Sequence, residues 1–247
     1  MKIRIRAFIP NLLTLCNLLC GCVGIWLLFS GRPGAAGVLV FAAAVFDVFD
    51  GMTARMLGVS GPLGVQLDSL ADVVSFGVLP AFMAFTMMRS QPLLWNGLAF
   101  AAFLMALCSA YRLAKFNIDP TQRKSFSGLP TPANAVFWAA LCLHQARSGQ
   151  VLGGYYVLIL SLMFAALLVS PWRMFSLKSR DWSWKGRRFF YLYAVLSVVA
   201  VCVFGCLVVS IAVVFYPVFS YLHYHVGEAV RENPAADFHE EETINNQ

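Results

Sequence analysis

The chain alternates between long apolar stretches and short polar breaks. Stretches of about 20 largely apolar residues are long enough to cross a bilayer. The pattern predicts spans near 12–30, 34–53, 63–88, 93–111, 132–147, 151–170, 188–205 and 207–225. The last two form one apolar stretch that is too long for a single span, so we predict that the chain reverses direction near Gly205. Without that reversal the alternative is seven spans. The predicted fold is an all-α polytopic membrane helix bundle of about eight helices.

Composition supports the membrane assignment and restricts the partners. Hydrophobic residues make up 60% of the chain and charged residues only 12%, about half the share in a soluble domain. The net charge is +6, which favours contact with anionic membrane lipids. No basic face interleaved with aromatic residues is visible, so the pattern argues against nucleic-acid binding.

The basic residues also predict an orientation. Lys and Arg are enriched in cytoplasmic loops of membrane proteins. With the N-terminus in the cytoplasm and eight spans, fifteen of the 18 Lys and Arg fall on the cytoplasmic side. We therefore expect a protein integral to a bacterial-type inner or cell membrane, with both termini facing the cytoplasm.

Four aspartates stand out because the rest of the membrane region is almost free of acids. Asp47 and Asp50 are three residues apart and Asp68 and Asp72 are four apart, so each pair lies on one face of its helix. The turn signal Ser60-Gly61-Pro62 joins the two helices in a hairpin whose acidic faces can meet. Clustered carboxylates repel one another unless divalent cations neutralise them, and an all-oxygen set suits Mg²⁺, Mn²⁺ or Ca²⁺. Two metals sharing these ligands would suit a phosphoryl displacement.

Two alternatives remain open from the residues alone. Gly51, Ala54 and Gly64 lie on the acidic faces, where small side chains either admit a flat ligand or serve ordinary helix packing. The acids themselves could instead form a carboxylate relay in a divalent-cation transporter. Transporter sites usually lie near the bilayer midplane, whereas this cluster is predicted at the cytoplasmic edge.

The spacing resembles the signature of the CDP-alcohol phosphatidyltransferase family. Every position of D-x2-D-G-x2-A-R-x8-G-x3-D-x3-D is filled, by Asp47, Asp50, Gly51, Ala54, Arg55, Gly64, Asp68 and Asp72. The resemblance implies a membrane-embedded transferase over residues 1–228, a homodimer, and a site open to the cytoplasmic leaflet. Residues 229–247 fall outside it and are predicted to form an acidic, disordered tail.

The resemblance also implies roles for individual residues. The four aspartates would bind two Mg²⁺ or Mn²⁺ ions, with Ca²⁺ as a possible occupant, and Asp72 would act as the general base. Metal-assisted loss of the proton is an equally good description. The nucleotide of CDP-diacylglycerol would be bordered by Asn11, Thr14, Asn17, Gly51, Ala54, Arg55 and Gly64.

Further segments resemble the family members that use L-serine as acceptor. They are residues 10–17, 72–81, 112–117 and 126–133. The implied reaction converts CDP-diacylglycerol and L-serine into phosphatidylserine and CMP. Arg112 and Lys115 are the candidates for the serine carboxylate, whereas Arg123 and Lys124 are better explained as solvated loop residues. The same chemistry with glycerol phosphate, inositol phosphate or choline remains the alternative.

Overall fold

The fold is a bundle of helices without strands in the described part of the chain. The computed structural model describes residues 2–59, 61–91, 97–118, 128–172, 210 and 213–215, with residues 2–7 as backbone only. The helices are α1 Lys2–Phe29, α2 Pro33–Leu57, α3 Pro62–Asp72, α4 Leu79–Arg89, α5 Leu104–Ile118, α6 Thr131–Ser148 and α7 Gly154–Val169. A π-helical turn, Val73–Val78, joins α3 to α4, and a 3₁₀ helix, Leu98–Phe103, precedes α5.

Within the described residues, four helical segments are long and apolar enough to cross a membrane: Phe8–Phe29, Pro33–Leu57, Pro62–Arg89 and Leu98–Ile118. The apolar helix Gly154–Val169 is shorter. Large apolar side chains such as Trp26 and Phe29 are exposed on the outer faces, as expected of a protein surrounded by lipid. The predicted helical membrane bundle is confirmed. The predicted spans 188–205 and 207–225 fall almost wholly outside the described residues.

The helix of the fourth predicted span, 93–111, continues past the predicted end of the span. Its described helical part begins at Leu98 and continues to Ile118, beyond the charged residues that we expected to end it. Long basic side chains can lie along apolar surface while their charged ends reach water. Arg112 and Lys115 therefore extend the helix instead of terminating it.

The segment Pro62–Arg89 is the central element of the bundle. Its most apolar window is 61% buried, against 28% for each of the other three long spans. Phe76 and Leu79 from this segment are fully buried, as are Trp138 of α6 and Phe164 of α7. The aspartates of α3 are therefore carried on the helix that contacts most of the bundle.

Small residues allow the neighbouring helices to approach this centre closely. A Cβ atom on Gly21 would lie 2.6 Å from Ser75 Oγ, and one on Gly24 would lie 2.7 Å from a methyl group of Leu79. A Cβ on Gly37 would lie 2.8 Å from the backbone oxygen of Ala139, where α2 packs against α6. Glycine in membrane helices permits such backbone contact, and here it holds α1 against the π-helical turn.

Candidate metal centre and active site

A short hairpin places the acidic ends of α2 and α3 side by side. Gly58 ends α2 in the left-handed conformation, with φ 62°, which glycine adopts without a steric penalty. The N–H groups of Gly58 and Val59 cap the last carbonyls of the helix. Pro62 then occupies the first turn of α3, where its missing N–H does no harm. The predicted turn and the proline-initiated helix are both present.

Three of the four signature aspartates meet directly. Asp47, Asp50 and Asp68 each offer a carboxylate oxygen, and these oxygens lie within 4.8 Å of one another. Asp50 is buried, with 5% of its surface exposed. Like charges at this separation repel by about 3–4 kcal/mol per pair at an effective dielectric constant of about 20. The cluster is therefore a place where a cation would be strongly stabilised.

Asp72 lies one turn further along α3 and is not one of the three residues of this cluster. It interacts electrostatically with the other three aspartates and is itself only 8% exposed. The side-chain amide of Asn17 on α1 donates a hydrogen bond to Asp72 Oδ1, with an N···O distance of 3.1 Å. The hydroxyl of Ser75 donates to the backbone oxygen of Asn17 at 2.8 Å. Asp72 is thus held by a fully buried residue from a different helix.

Thr14 makes the corresponding contact to Asp50. Its hydroxyl oxygen lies 2.6 Å from Asp50 Oδ2 and 3.0 Å from the backbone oxygen of Pro10. The hydroxyl has a single proton, and an ionised carboxylate is the stronger acceptor. Thr14 and Asn17 therefore contact the aspartates, and their predicted contact with a nucleotide stays a prediction.

The residues present fit a divalent cation. The donors are carboxylate oxygens, which Mg²⁺, Mn²⁺ and Ca²⁺ prefer. Asn17 Oδ1, beside them, is buried and accepts no hydrogen bond from any residue that the structure describes. Buried polar atoms without partners are uncommon in proteins. A bound cation would neutralise the clustered carboxylates, and the cation or one of its ligands would give Asn17 Oδ1 a partner.

The smaller signature residues line the approach to the aspartates. A Cβ on Gly64 would lie 3.7 Å from Asn11 Oδ1, which shows that α1 faces α3 one turn before Asp68. A Cβ on Gly51 would lie 3.7 Å from a guanidinium nitrogen of Arg55. The Arg55 side chain thus extends along its own helix toward Gly51, the residue after Asp50, and Ala54 is partly buried. The small residues Gly51, Ala54 and Gly64 therefore leave space beside the aspartates.

The candidate serine ligands lie in a cleft between α5 and the end of α7. Its cavity volume is about 230 Å³, and it is lined by Tyr111, Arg112, Lys115, Leu168, Val169, Ser170 and Pro171. Pockets for drug-sized ligands start at about 300 Å³, so this one suits a smaller molecule. Arg123 and Lys124 lie outside the described residues.

A hydrogen bond connects this end of α5 to the aspartate helix. Asn117 Nδ2 donates to Ser69 Oγ at 2.9 Å, and Ser69 directly follows Asp68 in the sequence. The basic end of α5 and the part of α3 that carries Asp68 are therefore neighbours. Sequence reasoning missed this pair, although Asn117 lies in a segment of family resemblance and is polar at the end of an apolar helix.

Comparison with known proteins identifies the family of this site. The CDP-alcohol phosphatidyltransferase family matches residues 7–172, a region that includes all four aspartates and the cleft. The chain belongs to the CDP-alcohol phosphatidyltransferase family. The resemblance read from the aspartate spacing is confirmed, and the chain is an integral membrane enzyme of the phosphotransferase class.

Within the family, similar proteins carry the name CDP-diacylglycerol–serine O-phosphatidyltransferase. One from Mycobacterium bovis is 30% identical over 236 residues, covering 90% of this chain and 78% of the relative. One from Helicobacter pylori is 33% identical over 184 residues, covering 71% and 75%. One from Mycobacterium leprae is 39% identical over 136 residues, covering 52% of this chain and 44% of that relative. This chain thus aligns with less than half of the leprae protein and about three quarters of the other two.

Proposed function

We propose that the protein transfers the phosphatidyl group of CDP-diacylglycerol to the hydroxyl of L-serine, giving phosphatidylserine and CMP. The observation that carries the proposal is the convergence of three of the four signature aspartates, Asp47, Asp50 and Asp68, from two adjacent helices. The proposal draws further support from relatives that bear the serine enzyme's name and align with up to 90% of the chain.

In this proposal Asp47, Asp50, Asp68 and Asp72 hold two divalent ions, Mg²⁺ or Mn²⁺. The bound ions would neutralise the diphosphate and stabilise negative charge on the leaving phosphate. Thr14 orients the carboxylate of Asp50, and Asn17 orients that of Asp72. Holding charged ligands in place by buried donors reduces the reorganisation required during the reaction.

The transfer makes one P–O bond and breaks another. The serine oxygen attacks the phosphorus that carries the diacylglycerol, and the bond from that phosphorus to the oxygen of CMP breaks. The serine hydroxyl proton passes to Asp72, which is the candidate general base. Asn17 donates one hydrogen bond to Asp72 Oδ1, and because each carboxylate oxygen has two lone pairs, Asp72 keeps acceptor positions for a metal ion and for the proton.

The nucleotide of CDP-diacylglycerol would lie beside the hairpin formed by α2 and α3. Asn11, Gly51, Ala54, Arg55 and Gly64 border it in this proposal. Gly51 and Gly64 allow the ligand to approach the backbone, and the guanidinium of Arg55 supplies positive charge beside the diphosphate.

Arg112 and Lys115 would bind the serine carboxylate in the cleft between α5 and α7. The hydrogen bond from Asn117 to Ser69 supports this because it brings the end of α5 against the aspartate helix. The same contact places basic residues and the aspartates at one end of the bundle, which supports a cytoplasmic active site by the positive-inside rule. We propose a homodimer from the resemblance alone.

One experiment tests the reaction and the acceptor together. Purified full-length protein is incubated with CDP-diacylglycerol and Mn²⁺, and CMP release is followed with L-serine, glycerol 3-phosphate, inositol phosphate or choline. We expect serine-dependent release that EDTA abolishes and excess Mn²⁺ restores, and that Asp68→Asn and Asp72→Asn lack. CMP release with another alcohol and none with serine would show that the protein uses a different acceptor. Flux of Mn²⁺ into liposomes without CMP release would refute the enzyme.

Arg112→Gln gives a separate test of the acceptor site. It removes a bidentate donor for a carboxylate, so we expect a KM for serine raised by about 10-fold or more, since a hydrogen bond to a charged group contributes about 1.5–3 kcal/mol. The KM for CDP-diacylglycerol should change little. Arg89→Gln is the matched control, because Arg89 lies at the far end of the Pro62–Arg89 segment from the hairpin. An unchanged serine KM in Arg112→Gln would remove Arg112 from the acceptor site.

A further inference from the structure

The helix that carries Asp68 and Asp72 is not a regular α-helix after Asp72. Residues Val73–Val78 form a π-helical turn, and the N–H of Leu79 bonds to the carbonyl of Val74, five residues back. A π-helical turn adds one residue per turn to the helix, which changes the rotation of everything before it relative to everything after it. Such turns are rare and are often found at functional sites.

Pro80 gives the physical reason for the wide turn. Proline has no N–H, and its ring collides with the carbonyl four residues earlier in a regular helix. That carbonyl belongs to Phe76, which is fully buried. Widening the turn relieves the collision, but Pro80 still has no N–H to offer the Phe76 oxygen.

Asn134 of α6 supplies a donor to this carbonyl. Its Nδ2 lies 3.4 Å from the Phe76 oxygen, at the long end of hydrogen-bond distances. Trp138 Nε1 donates to Asn134 Oδ1 at 3.2 Å, which fixes the direction in which the amide points. Asn134 and Trp138 both have 0% of their surface exposed, so water does not replace either contact.

The same turn is connected to Asp72 on its other side. Ser75, within the turn, is fully buried and donates to the backbone oxygen of Asn17. Asn17 in turn donates through its side chain to Asp72 Oδ1. Gly21 lies one helical turn after Asn17, and a Cβ there would be 3.0 Å from Ser75 Cα. The turn and α1 therefore fit tightly, and a shift of one moves the other.

We infer that Asn134 is a positioning residue for Asp72. It holds the π-helical turn that Pro80 creates, and the turn sets the register in which Asn17 meets the Asp72 carboxylate. This inference rests on the proposed role of Asp72, but it concerns a residue of α6, a helix that carries none of the signature residues. The loss of Asn134 changes the orientation of Asp72 and leaves the binding of both substrates intact.

The test compares Asn134→Leu and Trp138→Phe with the unmodified protein. Asn134→Leu removes the donor, and we expect kcat to fall by about 10- to 100-fold, the usual range for losing a residue that orients a metal ligand. The KM values for serine and for CDP-diacylglycerol should stay within about threefold of those of the unmodified protein. Trp138→Phe removes the indole N–H and keeps a smaller aromatic ring, so its kcat should lie between those of Asn134→Leu and the unmodified protein. The dissociation constant for Mn²⁺ alone, measured by calorimetry, should rise with the fall in kcat.

Ser161→Ala is the matched control. Ser161 is equally buried, and its hydroxyl bonds within its own helix to the Val157 carbonyl at 2.7 Å. Its removal should leave kcat and the Mn²⁺ dissociation constant unchanged. An equal loss of kcat in Ser161→Ala would show that any buried polar deletion has this effect, and it would overturn the inference.

A double variant separates positioning from stability. Pro80→Ala restores an N–H that can satisfy Phe76 in a regular helix, so Pro80→Ala with Asn134→Leu should unfold at about the original temperature. If Asn134 positions Asp72, kcat stays low in this double variant because the regular helix no longer places Asp72 correctly. Recovery of full kcat in the double variant, or an unchanged kcat in Asn134→Leu, would refute the inference. If the unmodified protein releases no CMP with serine, the proposed function fails instead, and the Mn²⁺ measurement still tests Asn134.

Discussion

The hydrogen bond between Thr14 and Asp50 gives the sharpest prediction for the metal site. Thr14→Val keeps the branched shape of the side chain and removes only the hydroxyl. The O···O distance of 2.6 Å is typical of a charge-assisted hydrogen bond to a carboxylate. Thr14 is 4% exposed and Asp50 is 5% exposed, so water cannot readily take the place of the lost donor.

The size of the effect follows from these values. A hydrogen bond to a charged group contributes about 1.5–3 kcal/mol, and each 1.4 kcal/mol is about a factor of ten. Thr14→Val should therefore weaken Mn²⁺ binding by about 10- to 100-fold, since Asp50 loses one of the donors that hold it in place. Thr14→Ser retains the hydroxyl and should stay within about threefold of the original.

The assay is the dependence of serine-stimulated CMP release on Mn²⁺ concentration, with calorimetry of Mn²⁺ binding in the absence of substrate. We expect the activity of Thr14→Val to recover at high Mn²⁺, because its defect is in affinity. Equal Mn²⁺ affinities for Thr14→Val and the original protein would refute the argument that this hydroxyl supports the metal ligand. A defect that saturating Mn²⁺ does not correct would place Thr14 in contact with the nucleotide instead.

Three further predictions concern the close contacts around the site. Gly21→Ala should destabilise the protein by about 1–3 kcal/mol through overpacking against Ser75, whereas Gly97→Ala meets no described atom within 4 Å and should unfold at the original temperature in detergent. Gly58→Ala should cost only the left-handed backbone penalty of about 1–2 kcal/mol; Gly128→Ala, whose Cβ would also lie 2.5 Å from the Leu168 oxygen, should cost more in the same thermal assay. In a double-mutant cycle, Asn117→Ala and Ser69→Ala should show a coupling of about 0.5–1.5 kcal/mol in unfolding free energy; additive effects would contradict the hydrogen bond between them.

Much of the site could be read from the sequence because its spacing is local. Residues three or four apart on a helix must share a face, and a short turn must bring the faces of Asp50 and Asp68 together. The caps that build the hairpin, Gly58 and Pro62, act on the backbone within a few residues. The family follows from the same short stretch, since all eight fixed positions lie within one hairpin.

Only the tertiary structure shows which side chains from other helices contact the aspartates. Periodicity places Thr14 and Asn17 on one face of α1, but only packing shows that this face contacts Asp50 and Asp72. The helix of the predicted span 93–111 continues to Ile118, because a long basic side chain such as that of Arg112 can remain on a helix while its charged end reaches water. The contacts of Asn134 with Phe76, and of Asn117 with Ser69, join residues 58 and 48 positions apart.

Sequence alone therefore determined the membrane class, the hairpin and its four carboxylates, because these depend on composition, on spacings of three or four residues along each helix, and on the short turn between the two helices. Which buried donors hold those carboxylates was decided by the assembled bundle. The reason is physical: a hydrogen bond between distant segments exists only when packing has fixed their distance, and no local pattern in either segment encodes that distance.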